Sequence, residues 1–574
     1  MSAAAPGEVA FVLHTHLPYL KHHGVWPVGE EWLFQAWAGS WLPVTRLLLR
    51  LADDGHRDVL TLGVTPMVAA QVADDRLADE LGTWVGGQMW RAEEQRWQGW
   101  HAGEEVAALA TFYWRSYAEV LATHEEVQAA GGLLAVWRDL ARRGVIELLG
   151  GPATHPYLPL QTDPALIDAQ LACGLDAHAA WAGERPRGMW APECGYRPAG
   201  PVADATAEPL RVDRHGTPSL PRTGPSLPGL EEAYARAGVG HFLVDAATLV
   251  QAAGGAERDW TQRPAVPDPA AGDPYEVVHD GVLVGDSDVV AFARDLSVAY
   301  RVWSPTTGYP GDPWYRDYFA RGDWGLHPSW RVTDHELGPM DKAVYEPARA
   351  AARVDEHVDD LLGVLHEVLG PRPGDLVVAA YDTELFGHWW FEGVAWLEAL
   401  LRRVAADPQL RTTTLASRVD RRPPTRRLDL PESSWGYAKG HASWVTPETR
   451  PMWVDLRRAE DRAREALSAT AAGGPRLAPA REQLARELAL LTASDWPFMV
   501  TRGNSSGYAF ERFAGHLDAV ERLAGALLTD DPVRDALVAE LGVRDDAPAD
   551  PGAFVAALSG ATPGRSHAQS SMRT

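Results

Sequence analysis

The segment LVVAAYDTELFGHWW (376–390) shows the pattern from which the fold of this chain can be predicted. A short apolar run, typical of a buried strand, ends at a carboxylate, Asp382, and aromatic residues follow. The segment GMWAPECGY (188–196) has the same order, with Glu193 after its apolar residues. Functional side chains at the ends of strands are typical of a β/α barrel, because parallel strands bring their carboxyl ends to one mouth.

Seven short, β-prone apolar runs occur before residue 381, and polar side chains follow each of them. They are VAFVL (9–13), VLTLGV (59–64), VIELL (145–149), GMWAP (188–192), HFLV (241–244), VVAFA (289–293) and LVVAA (376–380). Helical patterns lie between them, for example over 40–54, 112–128 and 343–369. Strands that alternate with helices predict a parallel sheet. Seven of them predict an α/β fold with a distorted (β/α)7 barrel.

Changes of composition divide the chain into parts. We expect the catalytic barrel over residues 1–405, with a small subdomain inserted around 197–235, where Pro, Gly and Ser accumulate. Residues 406–545 have helical patterns and predict a mainly helical C-terminal domain. Residues 546–574 have little apolar periodicity and are predicted to be disordered. A further irregular stretch, 250–285, is long enough to be a lid or another mobile loop.

The charge and the cysteine content limit the partners and the compartment. The net charge of −25 argues against nucleic acid or an anionic membrane as a partner. There are only two cysteines, no signal peptide pattern and no run of about 18 apolar residues, so we expect a cytoplasmic protein without disulfides. The 24 tryptophans, against 12 phenylalanines, favour flat platforms for sugar rings, although any single tryptophan is more often a core residue.

Glu193 and Asp382 are suited to cleavage of a glycosidic bond by double displacement. One carboxylate attacks the anomeric carbon, and the other protonates the departing oxygen. Glu193 is the better candidate for the nucleophile. It lies beside Trp190, and nearby donors such as His155 can hold its carboxylate ionised. Asp382 needs a raised pKa to act as the acid, and Glu384 could raise it or could itself be the acid. The spacing leaves that choice open.

His14 and His16 share one face of the first predicted strand, since alternate side chains of a strand point the same way. They could contact sugar hydroxyls, make structural hydrogen bonds or, with an acid from elsewhere, bind a metal ion. No HExxH or CxxC motif occurs, so a metal ion is the less favoured of these alternatives. Trp435, Trp444 and Asp495 would complete the site if the C-terminal domain packs over the barrel mouth.

Taken together, these segments resemble glycoside hydrolase family 57, and within it the α-glucan branching enzymes. The resemblance covers about residues 7–530, and its motifs occur in the order of the family. They are HTHLPY (14–19), ELLGGPATHPYLPL (147–160), MWAPECGY (189–196), AFARD (291–295), VWSPTTGYPGD (302–312), AYDTELFGHWWFEG (380–393), ESSWG (432–436), HASW (441–444) and SDWPF (494–498).

The resemblance implies a (β/α)7 barrel with an inserted small domain, a helical C-terminal domain and no catalytic metal. It implies retaining chemistry, with Glu193 as the nucleophile and Asp382 as the acid/base. The substrate contacts that it implies are His14, His16, His155, Trp303, Trp435, Trp444 and Asp495. Family members cover the site with a loop that carries a tyrosine. The candidate loop here has Trp260 and Tyr275 as its aromatic residues, and neither can be aligned with that tyrosine.

The resemblance therefore implies a 1,4-α-glucan branching enzyme. Such an enzyme cleaves α-1,4 linkages and transfers the chain to a 6-hydroxyl, which forms α-1,6 branches in a glycogen-like polysaccharide. Its donor and acceptor would be α-1,4-glucans such as amylose and glycogen, and we expect a monomer. The alternatives are a 4-α-glucanotransferase or α-amylase-type hydrolase of the same family, a non-catalytic glucan-binding protein, and a metal-dependent glycosidase or deacetylase.

Overall fold

The chain forms a strand-and-helix barrel followed by a group of helices. The computed structural model describes residues 5–213, 215, 217–254, 280–320, 327–338, 341–370, 372 and 374–560, apart from the side chains of residues 99–102. Its strands are β1 (Gly7–Thr15), β2 (Leu60–Val64), β3 (Ile146–Leu149), β4 (Gly188–Met189), β5 (Gly200–Pro201), β6 (Arg211–Val212), β7 (Pro218–Ser219), β8 (Ser226–Leu227), β9 (His241–Val244), β10 (Val282–Val284), β11 (Val290–Ala293), β12 (Leu376–Asp382), β13 (Leu410–Thr412) and β14 (Arg427–Leu428).

The helices of the barrel part lie between these strands. They are α1 (Glu30–Ala36), α2 (Leu42–Asp53), α3 (Pro66–Val72), α4 (Asp75–Ala102), α5 (Glu104–Ala129), α6 (Leu133–Arg142), α7 (Pro164–Ala182), α8 (Leu230–Ala237), α9 (Ala246–Ala252), α10 (Leu296–Trp303), α11 (Pro347–Leu369), α12 (Gly393–Ala406) and α13 (Leu415–Arg421). The C-terminal helices are α14 (Arg450–Ala469), α15 (Ala478–Leu491), α16 (Asp495–Arg502), α17 (Ser506–Leu528), α18 (Val533–Arg544) and α19 (Gly552–Ser559).

Seven of the strands close into the barrel. Four lie side by side in the order β12-β1-β2-β3, and β4, β9 and β11 are neighbours in a second sheet; all these pairs are parallel. A parallel bridge between Gly150 and Met189 joins β3 to β4. Across the other seam the Asp295 N–H donates to the Val378 carbonyl, at 2.8 Å. These strands are the seven runs predicted from the sequence, and the predicted distorted (β/α)7 barrel is confirmed.

The distortion lies at the seam between β11 and β12. The short strand β10 runs antiparallel to β11, pairing Val282 with Ala291, and β14 pairs with β10. The first half of β11 therefore bonds to β10. The backbone hydrogen bond to β12 is made by Asp295, beyond the end of β11.

Alternation along the strands separates the barrel interior from its outer layer. Ala10 and Val12 of β1 pack inside the barrel with Leu243, Phe292 and Val378 from three other strands. The residues of β1 between them pack outward on the helices, in the same core as Trp37 and Trp41. Each strand is thus buried on both faces, which is why the strands are continuous apolar runs.

The C-terminal helices form a second core and cover the mouth of the barrel. Leu488, Trp496 and Phe513 belong to this core. An antiparallel bridge between Pro156 and Ala493 joins the loop after β3 to the turn between α15 and α16. The predicted helical C-terminal region is confirmed.

Two predicted boundaries are wrong. β13 pairs with β1 and β14 with β10, so the barrel part continues past residue 405 to Leu428. Strands of three and two residues are too short to show a sequence pattern. The tail predicted to be disordered from 546 contains α19, which buries Phe554 and Leu558 against the second core.

Two other predictions concern irregular segments. Within 197–235, the short strands form two antiparallel ribbons, β5 with β8 and β6 with β7. The predicted lid at 250–285 falls largely on residues 255–279, which lie outside the described residues together with Trp260 and Tyr275. Among the helices that the structure describes, none is long and apolar enough to cross a membrane.

The buried side chain of His178 should make the folded protein less stable in acid. Burial lowers the pKa of His178 to about 4, whereas an unfolded histidine titrates near pH 6.5. The unfolded chain therefore binds this proton first as the pH falls, and stability that is present above pH 6.5 is lost towards pH 4. We expect His178→Leu to lose about 1–2 °C less in Tm than the wild type between pH 7 and 5. Equal losses in the two proteins, followed by scanning calorimetry, would contradict the prediction.

Candidate active site

The functional side chains continue the inward-facing series of the strands. The interior residues Ala10 and Val12 of β1 lead to His14, two residues further on. In β12 the interior residues Val378 and Ala380 lead in the same way to Asp382. Asp382 also lies directly opposite His14 in the register of the two strands. The site is therefore at the carboxyl end of the barrel, where the C-terminal helices cover it.

Glu193 lies in a tight turn after β4. Its backbone has φ 62° and ψ 20°, and Cys194 also has a positive φ of 48°. Residues other than glycine rarely adopt this left-handed backbone conformation. It costs about 1–3 kcal/mol and needs support from the surrounding structure. Here the backbone N–H of Trp435 donates to the backbone carbonyl of Glu193, at 3.0 Å. The turn points the carboxyl group of Glu193 at residues of the C-terminal part.

Both carboxyl oxygens of Glu193 accept hydrogen bonds. Trp435 Nε1 donates to Oε2 at 2.7 Å, and Ser494 Oγ donates to Oε1 at 2.9 Å. Burial raises the pKa of Glu193, and Asp495 raises it further, whereas the two donors and His16 lower it. The site thus provides specific stabilisation for the ionised form of an otherwise desolvated acid.

Asp382 is in a different environment. Among the described residues its carboxyl group has no hydrogen-bond partner. Burial raises its pKa well above the ordinary value, and the like charges of Glu384 and Glu193 raise it further. Arg294 opposes the effect. Of the two acids, Asp382 is the one that the site favours in its protonated form.

Glu384 is the third acid at this mouth, and it is held in place. It is 1% exposed, and Trp41 Nε1 donates to its Oε1 at 2.7 Å. Burial raises the pKa of Glu384 to about 7, although His16 and backbone donors lower it. Asp382 is only partly buried, so the two carboxyl groups that the sequence could not separate differ in access and in hydrogen bonding.

His14, His16 and His155 form a stack of rings beside the two acids. His16 and His155 lie 3.7 Å apart between ring centroids, and His14 stacks on Trp190 at 4.4 Å. Burial alone would lower the pKa of His16, but Asp495, whose carboxylate oxygens lie 3.2 and 3.3 Å from Nε2, and two glutamates raise it. Burial keeps the pKa values of His14 and His155 well below the ordinary one, which favours the neutral form of both rings.

Among the residues that the structure describes, two groups of side chains have the ligand types and spacing for a metal ion. One is His16, His155 and Asp495, and the other is His23, His516 and Asp545; in each group the ligand atoms lie within 4.8 Å of one another. The first group belongs to the site just described. The second lies where α15 and α17 meet the loop after β1, and its His516 is already bonded to Glu487 and Arg512. The expectation that no metal is used stays a prediction.

The predicted aromatic residues occupy two depths. Trp435 contacts Trp190 and Trp303, with ring centroids 5.3 and 6.1 Å away, and both Trp303 and Trp435 are partly exposed at the mouth. Trp444 is fully buried and stacks on Tyr157 at 4.2 Å. It therefore supports the site from behind and offers no surface to a ligand, which corrects its prediction as a substrate contact.

Several residues of the site were not predicted. Ser494 bonds to the nucleophile candidate, and its only signal in the sequence is its place beside Asp495. Asp245 accepts hydrogen bonds from Arg294 at 2.8 Å and from Lys439 at 3.2 Å. Asp245 and Arg294 continue the interior series of β9 and β11, so the period of two along these strands could have identified them.

Comparisons with known proteins agree with this architecture. The model of glycosyl hydrolase family 57 matches residues 10–431, and a second model, described as 1,4-alpha-glucan branching enzyme, C-terminal, matches residues 455–547. This chain belongs to glycosyl hydrolase family 57. The family resemblance of the sequence motifs, including the likeness to branching enzymes, is confirmed.

Individual relatives extend the match to nearly the whole chain. A probable 1,4-alpha-glucan branching enzyme of Mycobacterium tuberculosis is 36% identical over 542 residues, 90% of this chain and 91% of that protein. The crystal structure of a GH57 branching enzyme from Thermococcus kodakaraensis, in complex with glucose and additives, has a TM-score of 0.83 at 30% identity and 96% coverage of both chains. The branching enzyme of Pyrococcus horikoshii also has a TM-score of 0.83, at 32% identity, covering 96% of this chain and 97% of that one.

Proposed function

We propose that this chain is a 1,4-α-glucan branching enzyme that uses Glu193 as its nucleophile and Asp382 as its acid/base. The family membership and the branching-enzyme C-terminal region support the reaction class. The residue roles rest on the different hydrogen bonding and charge environments of the two carboxyl groups. Two donors stabilise the anion of Glu193, whereas Asp382 has no hydrogen-bond partner among the described residues and faces like charges.

The first step cleaves the donor glucan. The ionised Glu193 attacks C1 of a glucosyl unit while Asp382 gives its proton to the departing O4, which leaves as the end of the shortened chain. The sugar is now bound to Glu193 through a β-linked ester. The ester of Glu193 is uncharged, so one like charge near Asp382 is lost. Asp382, which has given up its proton, therefore stays ionised and can act as a base.

The second step forms the branch. A 6-hydroxyl of another glucan chain gives its proton to Asp382 and attacks C1, which releases Glu193 and creates an α-1,6 linkage. The two inversions at C1 leave the α configuration unchanged. The aromatic side chains Trp303 and Trp435, partly exposed at the mouth, are suited to hold the apolar faces of the sugar rings.

Asp382 is preferred to Glu384 as the acid because of access. A general acid must reach the leaving oxygen within hydrogen-bonding distance, and the 1% exposed carboxyl of Glu384 is already bonded to Trp41. Glu384 then acts electrostatically, as a like charge that favours the protonated form of Asp382.

The remaining sequence-based expectations are part of the same proposal. They are α-1,4-glucan as both donor and acceptor, a cytoplasmic location, a monomeric state and independence of a metal or cofactor. Of these, the location is supported by two buried cysteines that are free thiols.

The branching reaction is tested with linear amylose and the purified protein. We expect iodine absorbance to fall with few new reducing ends, and an α-1,6-specific debranching enzyme should then release many short chains. Glu193→Gln, which keeps the size of the side chain, should lose at least 1,000-fold in rate, on the order expected for a missing nucleophile. Reducing ends that accumulate without debranchable chains would instead identify a hydrolase. No change in the amylose, together with amylose binding that Glu193→Gln retains, would identify a glucan-binding protein.

The division of roles is tested with α-glucosyl fluoride, because fluoride leaves without protonation. Asp382→Asn should lose nearly all activity on amylose but keep the first turnover on the fluoride, since only the acid is missing. Glu193→Gln should lose both activities. The burst of released fluoride measures this step. A full burst in Glu193→Gln, or none in Asp382→Asn, would contradict the assignment.

Glu384 supplies a pH prediction. The like charge of Glu384 raises the pKa of Asp382, so Glu384→Gln should lower it. Asp382 must be protonated for the first step, and the alkaline limb of kcat/KM should therefore move to lower pH by about 0.5–1 unit. Trp41→Phe is a useful comparison, because it removes the donor to Glu384 and part of a buried ring but leaves the carboxyl group of Glu384 in place. An alkaline limb that stays in place in Glu384→Gln would count against Asp382 as the acid.

A further inference from the structure

The nucleophile candidate lies at one end of a chain of hydrogen bonds. Ser494 Oγ is 2.9 Å from Glu193 Oε1, and His155 Nδ1 is 3.0 Å from Ser494 Oγ. His155 Nε2 in turn is 3.2 Å from His14 Nε2. Four side chains from the loop after β4, the start of α16, the loop after β3 and the end of β1 are thus connected in series. All four of them are more than nine-tenths buried.

The ionised state of Glu193 sets the direction of every bond in the series. A carboxylate only accepts, so Ser494 must use its single O–H to donate to Glu193. The Ser494 oxygen must then accept from His155, whose Nδ1 carries the proton. A neutral His155 leaves Nε2 as an acceptor, which requires His14 to carry its proton on Nε2. Each tautomer follows from the one before it.

The free end of the series is consistent with this direction. His14 Nδ1 is left without a proton, and it is buried without a hydrogen-bond partner among the described residues. It faces Gly63, where an added Cβ would lie 3.7 Å from it. A neutral imidazole carries a single proton, so with that proton on Nε2 the unpartnered Nδ1 is an acceptor and His14 has no N–H without a partner.

We propose that Ser494 and His155 are positioning residues that orient and ionise Glu193, with His14 as the terminal donor of the series. This inference rests on the proposed function, since it assigns the residues that prepare the nucleophile of that reaction. The hydroxyl of Ser494 fixes the rotation of the carboxyl group about its axis, because Trp435 holds the other oxygen from a different side. The two donors together thereby fix the orientation of the carboxyl group of Glu193.

The backbone around the series is tied together across the two parts of the chain. The Ser494 N–H donates to the His155 carbonyl at 3.0 Å, and Thr154 Oγ1 donates to the Ala489 carbonyl at 2.6 Å. His155 itself has a left-handed φ of 55°. Docking of the C-terminal helices on the loop after β3 therefore places the hydroxyl that Glu193 needs.

His16 keeps the series neutral. It stacks on His155 at 3.7 Å and is paired with Asp495. A positive charge on His16 disfavours a second one on His155, and burial acts in the same direction. A doubly protonated His155 would have to donate from Nε2 and would clash with the N–H of His14, so the ion pair at His16 protects the direction of the bonds.

The inference is tested by the acid limb of kcat/KM on α-glucosyl fluoride, which reports the ionisation of Glu193 without the need for an acid. Ser494→Ala removes a donor to an anion, so we expect a rate roughly 10–100-fold lower. The pKa of Glu193 should rise, and the acid limb should move to higher pH by about one unit. Asp495, His16 and Asp382 still face Glu193 in the variant, so the shift reports the missing hydroxyl.

Matched variants separate positioning from folding. Ser494→Thr keeps the hydroxyl and should restore most of the rate and the wild-type limb. Thr492→Val removes a hydroxyl from the same turn that bonds Thr154 and Gln170 but not Glu193, and its limb should not move. At His155, which has a positive φ that asparagine tolerates, His155→Asn retains a donor and should keep more activity than His155→Leu.

Each outcome bears on the inference. A wild-type acid limb in Ser494→Ala, or an equal shift in Thr492→Val, would overturn it. Failure of the proposed function has a different mark, since Glu193→Gln would then consume the fluoride like the wild type. The tautomers give a second readout: nitrogen NMR of labelled histidines should show a protonated Nε2 in His14 and a protonated Nδ1 in His155, and the reverse pattern would also overturn the inference.

Discussion

Two carboxyl groups that must differ in charge share one desolvated site, and this requirement organises the structure around them. Burial raises the pKa of both Glu193 and Asp382, so burial alone disfavours the ionised form of both acids, including the one that must attack. The difference comes from hydrogen bonds, because Glu193 has two donors whereas Asp382 faces the like charge of Glu384. Both donors to Glu193, Trp435 and Ser494, lie beyond the barrel strands in the chain.

The barrel therefore supplies the acids, and the C-terminal part determines the charge that one of them carries. The interior of the barrel is filled by small and branched residues such as Ala10, Val12 and Val378, which leaves the polar continuation of each strand at the mouth. The helices that cover this mouth exclude water and strengthen every electrostatic interaction within it. A barrel without these helices would hold Glu193 in its strained turn without the hydroxyl that favours ionisation.

The sequence could predict the strands and the acids because both follow from local periodicity. Seven apolar runs became the seven barrel strands, and Glu193 and Asp382 lie at the ends of two of them. β13 and β14 could not be predicted, because two or three residues carry no pattern and their pairing depends on distant partners. The helix α19 was missed because its stability comes from burial of Phe554 and Leu558 rather than from its own length.

The site beyond the acids was less predictable for a related reason. Ser494 and Glu193 are 301 residues apart in the chain, and a serine near an aromatic motif has many uses. Trp444 shows the opposite error, since it was expected to contact the substrate and is fully buried on Tyr157. Periodicity predicts which face of an element is inward, whereas the partner across the mouth is decided only when two separate parts of the chain pack together.

The direction of the bonds from His14 to Glu193 links the protonation of the nucleophile to the geometry of the whole mouth. If Glu193 were protonated, it could donate to Ser494, and Ser494 would then be free to turn away from it. Ionisation of Glu193 and the single orientation of Ser494 and His155 therefore occur together. Asp382 has no hydrogen bond to this series among the described residues. It can gain and lose its proton while the hydrogen bonds that hold the nucleophile stay in place, which is what a double displacement requires of its second acid.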